Sequence, residues 1–469
     1  MVSIPFFLLT SNHFSMLFKK IFMVCCVCAL YCSACSDLSN DSATDQEKRE
    51  FLEVFLPQAQ TNLAYATGHE YIVFSSMLSQ QITGTGGTPL SIDRYNITPS
   101  TTDPAWVFFY SNVLSLSKSI VAVSEEVNQK KYRAMGLVLG AYAGALLSDF
   151  WGDVPFEDSF LSEDEVLFPA YDEQQEIYLN IFEVLDEAEQ LFEESMDYAL
   201  PRPTEDLFFQ SDSDKWLRFL RFLRLKFTLQ LSQRNGYESS RELIDDPVFL
   251  QPGEVFDFDF STIDFYDPPG FEYVTNNPGT LAAGETILNL MEDNDPRIPV
   301  FFQPNSNGEY VGSPAGQAFT EASRLGGFFI GRNARVILAS YTAQKFMEAE
   351  VYFQTGNAEQ AEIALKQAIE SSLLDHDVFS QGWFDNFVND LPVNLQTIMQ
   401  QKYIALFFQP YAWNDWRRTG LPQIMPSENN SAQDRVPRRL PYAQSEFVFN
   451  SENVLQNKEI WDPVWWDAP

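Results

Sequence analysis

Apolar residues recur at intervals of three and four along most of the chain after residue 48, the spacing of one face of an α-helix. Glu50-Phe-Leu-Glu-Val-Phe-Leu56 opens the pattern, which returns from Trp106 to Val121 and from Lys130 to Phe150. Further on, Ile177, Tyr178, Ile181, Leu185, Ala188 and Leu191 fall on one face of a helix whose start is set by Asp172 with Gln175. Within Lys130 to Phe150, Ala134, Gly136, Gly140, Ala141, Ala143, Gly144 and Ala145 make a small-residue surface suited to close approach of a partner helix. Lys215 to Leu231 predicts one more helix, with Lys215, Arg218, Arg221, Arg224 and Lys226 on it. A basic groove is one reading of that helix; a solvated face paired with the surrounding acids is the ordinary one.

Two stretches break the helical pattern. Thr83 to Pro104 is rich in Gly, Thr and Pro and reads as a loop long enough to carry function. Asp245 to Arg335 consists of short runs with many Pro, Gly, Asn and aromatic residues. Inside it, Phe256-Asp-Phe-Asp-Phe260 alternates with period two and predicts a short strand. Its acids, with Asp264 and Asp267, lack the Gly and Glu that a calcium-binding EF-hand loop requires at fixed offsets, so no metal is assigned. The run Ala349-Glu-Val-Tyr-Phe-Gln-Thr-Gly356-Asn-Ala-Glu-Gln-Ala361, continuing to Ile369, resembles a tetratricopeptide unit, with small residues where two helices cross and a Gly at the turn. One such unit cannot bury its own face, so further helix pairs must stack on it.

Composition narrows the function classes. The 469 residues hold 30 Lys+Arg against 65 Asp+Glu, a formal net charge of −35. That balance argues against nucleic acid and other polyanions as partners. With 45% hydrophobic residues and 41 Phe, the acidity belongs to the surface of a packed protein. Cys25, Cys26, Cys28, Cys32 and Cys35 are all the cysteines, which leaves the body without disulfides or thiol chemistry. Around them Lys19-Lys20, a short apolar run and small residues have the layout of a secretory signal over residues 1–34, with Met16 a candidate true start. The uninterrupted run Ile21–Cys32 is shorter than the ~18 residues that read as a membrane span. Ser33-Ala34-Cys35 resembles the lipobox of bacterial lipoproteins, which implies lipidation of Cys35 after cleavage, although Cys32 stands where Leu is usual. A plain signal peptide cut near Ala34 is the other reading. Residues 35–48 read as an acidic flexible tether.

Arg133-Ala134 through Ser148-Asp-Phe-Trp151-Gly152-Asp153-Val-Pro155 resembles the helix and turn motif of the SusD/RagB family, surface lipoproteins of Bacteroidota. The similarity continues in order through Tyr171 to Tyr178, Lys215-Trp216, Asp295-Pro-Arg297, Tyr310-Val-Gly312-Ser-Pro314-Ala-Gly316, Gln401-Lys402, Asp415-Trp-Arg417-Arg418-Thr-Gly420-Leu-Pro422, and Val436-Pro-Arg438-Arg439-Leu-Pro-Tyr442. This resemblance implies a mostly α fold: a tetratricopeptide-like scaffold of about eight helices with a packed loop-rich ligand region and a few short strands. It implies one domain over 49–469, with the scaffold at about 49–240 and 335–420 and the insert at about 245–335. It further implies a SusC-like TonB-dependent transporter as partner and an outer-membrane location held by the lipid anchor alone.

The motif residues have a structural reading as well. Arg417, Arg418, Arg438 and Arg439 are expected to pair with acids inside the fold, and Trp151 and Asp153 to serve packing. Beyond the cleaved segment only His69 and His376 remain, with no phosphate loop and no nucleophile elbow, so neither cofactor nor catalysis is assigned. Binding is what remains. Sugars stack apolar faces on aromatic rings and need Asn, Asp or Arg for their hydroxyls, so loops mixing these types are the candidates. Tyr266, Phe271, Tyr273 and Asn276 form one group, Asn307 and Tyr310 a second, and Arg94 with Tyr95 a third. The reading is a non-catalytic oligosaccharide receptor; a peptide receptor of the same family and a surface glycoside hydrolase using paired carboxylates are the alternatives. The Trp461, Trp465 and Trp466 cluster reads as an anchor for the terminus.

Overall fold

A computed structural model describes residues 43–162, 166–196, 203–245, 249–263, 266–430 and 435–467. The signal segment, Cys35 and most of the acidic tether lie outside them, as do Asp264 and Phe265. The chain divides into two compact units, residues 1–53 and Val54–Pro469. The first is described from residue 43, where a reciprocal cap starts a helix: Thr44 N–H donates to Glu47 Oε2 at 2.7 Å and Glu47 N–H to Thr44 Oγ1 at 3.3 Å.

Among the described residues, nine α-helices have ten residues or more. They are α1 (Asp45–Ala66), α2 (Pro99–Phe108), α3 (Ser115–Glu126), α4 (Lys130–Trp151), α5 (Gln174–Glu194), α6 (Ser213–Gln230), α7 (Tyr341–Gln354), α8 (Ala358–Asp375) and α9 (Leu395–Ala405). In the second unit, sequence neighbours pack as pairs: α3 on α4, α4 on α5, α5 on α6, and α7 on α8, with α9 closing over the last pair. The chain turns between α7 and α8 at Gly356, whose φ of +81° suits a residue without Cβ. Phe346, Ala349, Ala364, Leu365, Ala368 and Ile369 fill the space between those two helices, as the tetratricopeptide resemblance implies.

By length and composition α4 is apolar enough to cross a membrane, but its apolar window is wholly buried inside the protein and it serves as the central core helix. Its glycine stripe is used differently from the expectation. A Cβ on Gly136 would stand 3.0 Å from Ile120 of α3, a helix contact as foreseen. On Gly140 it would meet Phe160 at 2.0 Å, and on Gly144 it would meet Phe156 at 2.2 Å. Both rings come from the turn that follows α4, so two of the three glycines seat phenyl groups rather than a helix. Gly140→Ala and Gly144→Ala are each expected to cost about 1–3 kcal/mol by overpacking. Urea unfolding will show this as a lower midpoint at unchanged slope.

The start of α5 also departs from expectation. Asp153, twenty-one residues upstream, accepts from Gln174 N–H at 3.0 Å, while Asp172 accepts from the N–H groups of Phe156 and Glu157 at 2.7 and 2.8 Å. Phe192 rather than Leu191 completes the buried face. The basic helix α6 is paired: Arg221 with Glu189 at 3.0 Å, Arg224 with Asp186 at 2.6 Å and Arg218 with Glu254 at 2.8 Å.

Thr83–Pro104 is not a structureless loop. It holds part of a strand, β1 (Ile82–Gly84), a short helix (Gly87–Asp93) and the start of α2, where Thr98 and Thr101 form a capping box and Pro99 takes the first turn. The expected strand is β2 (Val255–Asp259), followed by β3 (Leu281–Ala283), β4 (Phe302–Gln303), β5 (Arg324–Leu325) and β6 (Arg335–Ser340). They pair antiparallel as β1 with β3, β2 with β6, and β4 with β5. Asp257 and Asp259 of β2 both hold Arg335 of β6, each at 3.1 Å, so the acids of this strand have a cation from the chain itself.

The recognised motifs build the core. Arg418 is buried and bonds both oxygens of Glu350, one of them at 2.8 Å, and Asp415 at 2.9 Å. Asp415 in turn pairs with Lys402 at 2.8 Å. Arg438 pairs with Asp467. Arg417 and Arg439 do not follow the expected pairing with acids. Arg417 donates to Asn414 Oδ1 at 2.6 Å and to Arg438 O at 2.9 Å, with Trp413 and Trp466 rings 3.7 and 4.5 Å from its guanidinium. Arg439 donates to the carbonyl of Trp151. A guanidinium has five donors, and stacked rings with carbonyls satisfy it at lower desolvation cost than a second buried carboxylate would. Long-range ties close the body: Trp151 Nε1 donates to Pro441 O at 2.9 Å, Leu440 N–H to Phe150 O at 2.8 Å, and Gln81 Nε2 to Tyr403 O at 2.7 Å.

Candidate ligand-binding site

The eight sequence candidates separate into two regions. Tyr266 is 40% exposed and meets Tyr65 edge-on at 6.3 Å; Tyr65 stacks on His69 at 5.1 Å and donates to Glu272 Oε2 at 3.2 Å. Phe271 lies under the guanidinium of Arg332 at 4.4 Å. Tyr273 turns inward, buried against His69 at 5.5 Å, while Asn276 is exposed at the end of the Pro269–Asn276 helix. Burial holds the His69 imidazole down at about 4 and pushes the Glu70 carboxyl up to about 7.

The other two groups are joined by one strip of chain. Asn305 folds a tight turn by accepting from Asn307 N–H and Glu309 N–H, both at 3.0 Å, which leaves Asn307 exposed and Tyr310 40% exposed. From Tyr310 the strip continues along Gly284 and Glu285, where Glu285 N–H donates to Ser313 O at 3.0 Å, and reaches Gly316. There Arg94 Nε donates to Gly316 O at 2.8 Å, and Asp93 Oδ2 accepts from Gly316 N–H at 2.7 Å. Tyr95, buried and at a φ of +61°, accepts through its hydroxyl from Ser427 N–H at 2.9 Å. Arg94 and Tyr95 therefore fix a wall from behind.

In front of that wall is an open cleft of about 330 Å³. Four separate stretches of the chain line it: Gln80; Glu285, Thr286, Asn289 and Leu290; Pro314 and Ala315; and Gln423 to Pro426 with Glu428. Except for Gln80, its lining residues are exposed or half-buried. Glu285, Thr286, Asn289, Gln423 and Glu428 offer polar groups, and Leu290, Ile424, Met425 and the two prolines offer apolar surface. Sequence reasoning did not single out Glu285–Leu290 or Gln423–Glu428. The one available signal was the Pro-flanked Pro422-Gln-Ile-Met-Pro426, an apolar pair held exposed by its neighbours.

Asp93 is the electrostatic anomaly of the wall. Burial raises its carboxyl to about 7, opposed by the N–H groups of Gly316 and Gly84. No group of three or more His, Cys, Asp or Glu among the described residues is placed to hold a metal ion.

A family model described as "Starch-binding associating with outer membrane" matches residues 43–443. The chain belongs to the SusD-like family. Solved structures agree in fold: the SusD-like chain aligns with a SusD/RagB family protein of Bacteroides thetaiotaomicron at 24% identity and TM-score 0.75, covering 89% of this chain and 98% of that one. A SusD homologue of Parabacteroides distasonis aligns at 18% identity and TM-score 0.76, covering 90% and 98%. A chitin-binding SusD homologue of Flavobacterium johnsoniae aligns at 19% identity and TM-score 0.70, covering 90% and 97%. No curated protein matches the sequence. The family match of the SusD-like chain stops at 443, yet Trp466 and Asp467 beyond it anchor Arg417 and Arg438, so the terminal cluster completes the SusD-like core.

Proposed function

We propose that this SusD-like chain is a non-catalytic cell-surface receptor, anchored through lipidated Cys35, that captures a neutral oligosaccharide in the open cleft and delivers it to a SusC-like TonB-dependent transporter of the outer membrane. The observation that carries the reading is the convergence of four separate stretches of chain on one open surface that combines hydroxyl-binding and apolar groups. An oligosaccharide presents the same combination of hydroxyls and apolar faces, and an open cleft lets the chain run past on both sides. The exposed ring of Tyr310, on the strip that leads to the cleft wall, is available for stacking. The chitin-binding neighbour and the starch-binding description of the family support a glycan over a peptide. Glu285 and Glu428 at the cleft disfavour uronates and sulfated chains. Neither His69 nor His376 lines the cleft.

Titration calorimetry of the chain with chito- and malto-oligosaccharides is expected to show saturable binding. Asn289→Ala combined with Gln423→Ala should weaken it about tenfold, the loss of one to two hydrogen bonds to the ligand. Binding confined to sulfated or uronate polymers, or to peptides, overturns the ligand assignment. Release of reducing ends from a bound glycan overturns the non-catalytic one.

A further inference from the structure

A second, larger cavity of about 460 Å³ shares no lining residue with the cleft. Its mouth is formed by Gly327, Phe328, Asn333 and Arg335, all exposed. Three charged residues line it, Asp257, Arg335 and Asp375. The first two pair at 3.1 Å, and Asp259 puts a second acid on the same guanidinium. Asp375 is left over.

Nothing among the described residues answers the charge of Asp375. Its hydrogen bond comes from Thr342, whose Oγ1 donates to Oδ2 at 2.6 Å. Oδ1 has no partner and is not enclosed by the protein, and no Lys or Arg pairs with the carboxylate. Its place in the chain adds to the imbalance. Asp375 is the last residue of α8, an 18-residue helix with no basic residue in its final turn, so the acid stands at the negative end of the helix dipole. His376 beside it brings no charge, because burial keeps its imidazole at about 3. Arg297, which bears on His376 from another segment, is held by Asp295 at 2.6 Å. Burial accordingly raises the Asp375 carboxyl above its usual value, with the Thr342 hydrogen bond opposing it. A cation arriving from outside reverses that penalty.

The remaining wall decides which kind of cation fits. Phe328, Phe329 and Phe408 supply ring surface. Phe328 and Phe329 stand 4.9 and 6.0 Å from the ring of His376, and Phe329 stands 6.1 Å from Phe408, so phenyl groups reach the residue next to Asp375. Aromatic faces attract ammonium groups and their alkyl surroundings. A bare metal ion needs several oxygen ligands, and no group of three His, Cys, Asp or Glu among the described residues is placed to supply them.

We propose that this cavity is a second binding site, which takes a compact organic cation, its ammonium on Asp375 at the end of α8 and its body against the phenyl wall. The volume lies within the range of about 300–1,000 Å³ of small-molecule sites. The net charge of −35 favours the approach of such a ligand. An amino sugar and an alkylamine both carry this chemistry. The site is independent of the cleft, because occupancy of either leaves the lining of the other untouched.

The test uses the full chain at pH 7 with glucosamine and n-butylamine as probes and N-acetylglucosamine as the uncharged counterpart of the first, read by calorimetry and saturation-transfer NMR. Saturable binding of at least one amine is expected, and the tighter of the two names the source. N-Acetylglucosamine should bind the cavity at least tenfold more weakly. Asp375→Asn, which still accepts from Thr342, should weaken amine binding at least tenfold while the Tm stays at or above the native value. Phe328→Ala, at a side chain 44% exposed, should weaken it about fivefold. The Asn289→Ala variant of the cleft should leave it unchanged. No saturable amine binding overturns the proposal. So does binding that Asp375→Asn spares, and so does binding that Asn289→Ala abolishes, which would put the guest in the cleft.

Discussion

Arg418→Ala is expected to lower the free energy of unfolding by about 3–5 kcal/mol, the range for breaking a buried ion pair by removing one partner. The reason lies in what is left behind. Glu350 and Asp415 are both buried, and Arg418 holds Glu350 with both terminal nitrogens and Asp415 with Nη2, while Nη1 also touches Ser232 and the Tyr237 hydroxyl. Asp415 keeps Lys402, but Glu350 keeps only the hydroxyl of Tyr237 at 3.3 Å. An ionised carboxylate with that surrounding must take up a proton or draw in water. Arg418→Lys preserves the charge yet cannot span two carboxylates in a planar fork, so it should fall between alanine and the native chain. Urea melts at pH 7.5 will measure this, and an alanine variant within about 0.5 kcal/mol of native would show that the network is not a stabilising unit.

Asp93→Asn should stabilise the protein at pH 8 and make almost no difference at pH 4. The folded carboxyl titrates at about 7 because burial penalises its charge, whereas an unfolded Asp titrates near 3.9. Between those values the folded chain holds a proton that the unfolded chain has lost, so stability falls as pH rises. The contribution of the protonated acid is complete below the unfolded value and gone once pH has passed through about 7. At roughly 1.4 kcal/mol per pH unit, the whole window is worth on the order of 4 kcal/mol. Asparagine does not titrate, and its amide oxygen can take the two N–H donors, Gly316 at 2.7 Å and Gly84 at 3.3 Å, that Asp93 Oδ2 takes. The difference between variant and native should therefore grow from pH 4 to 7 and then stay level. A difference independent of pH would mean that Asp93 is ionised throughout.

How much of this was legible in the sequence depends on the range of the interaction. The α7–α8 hairpin was readable because everything that makes it, small crossing residues and Gly356, lies within one short segment. The strand β2 was readable from its alternation. Its partner β6 was not, since Val336-Ile-Leu-Ala339 is an apolar run that suits helix or strand, and only the pairing with distant Val255–Asp259 decides. The same limit explains the capping of α5 by Asp153 and the phenyl rings on Gly140 and Gly144. For the cleft, sequence pointed to Arg94, Tyr95 and Tyr310, which build or flank it, but not to Asn289 or Gln423, ordinary residues in ordinary loops. His376 was read as a commonplace histidine, and nothing in its neighbours along the chain says that its ring reaches a cavity.

The ties from Trp151 to Pro441 and from Gln81 to Tyr403 have a bearing on time as well as on space. They join positions about three hundred residues apart, and each supplies a buried partner that nothing nearer in the chain replaces. Closing such loops is entropically late work, and domains built on distant contacts fold slowly. The carbonyl that receives the last tryptophan of the central helix α4 is made 290 residues after it. Leu440 and Pro441 act as the clasp on the last turn of α4, reaching it from 290 residues further along the chain.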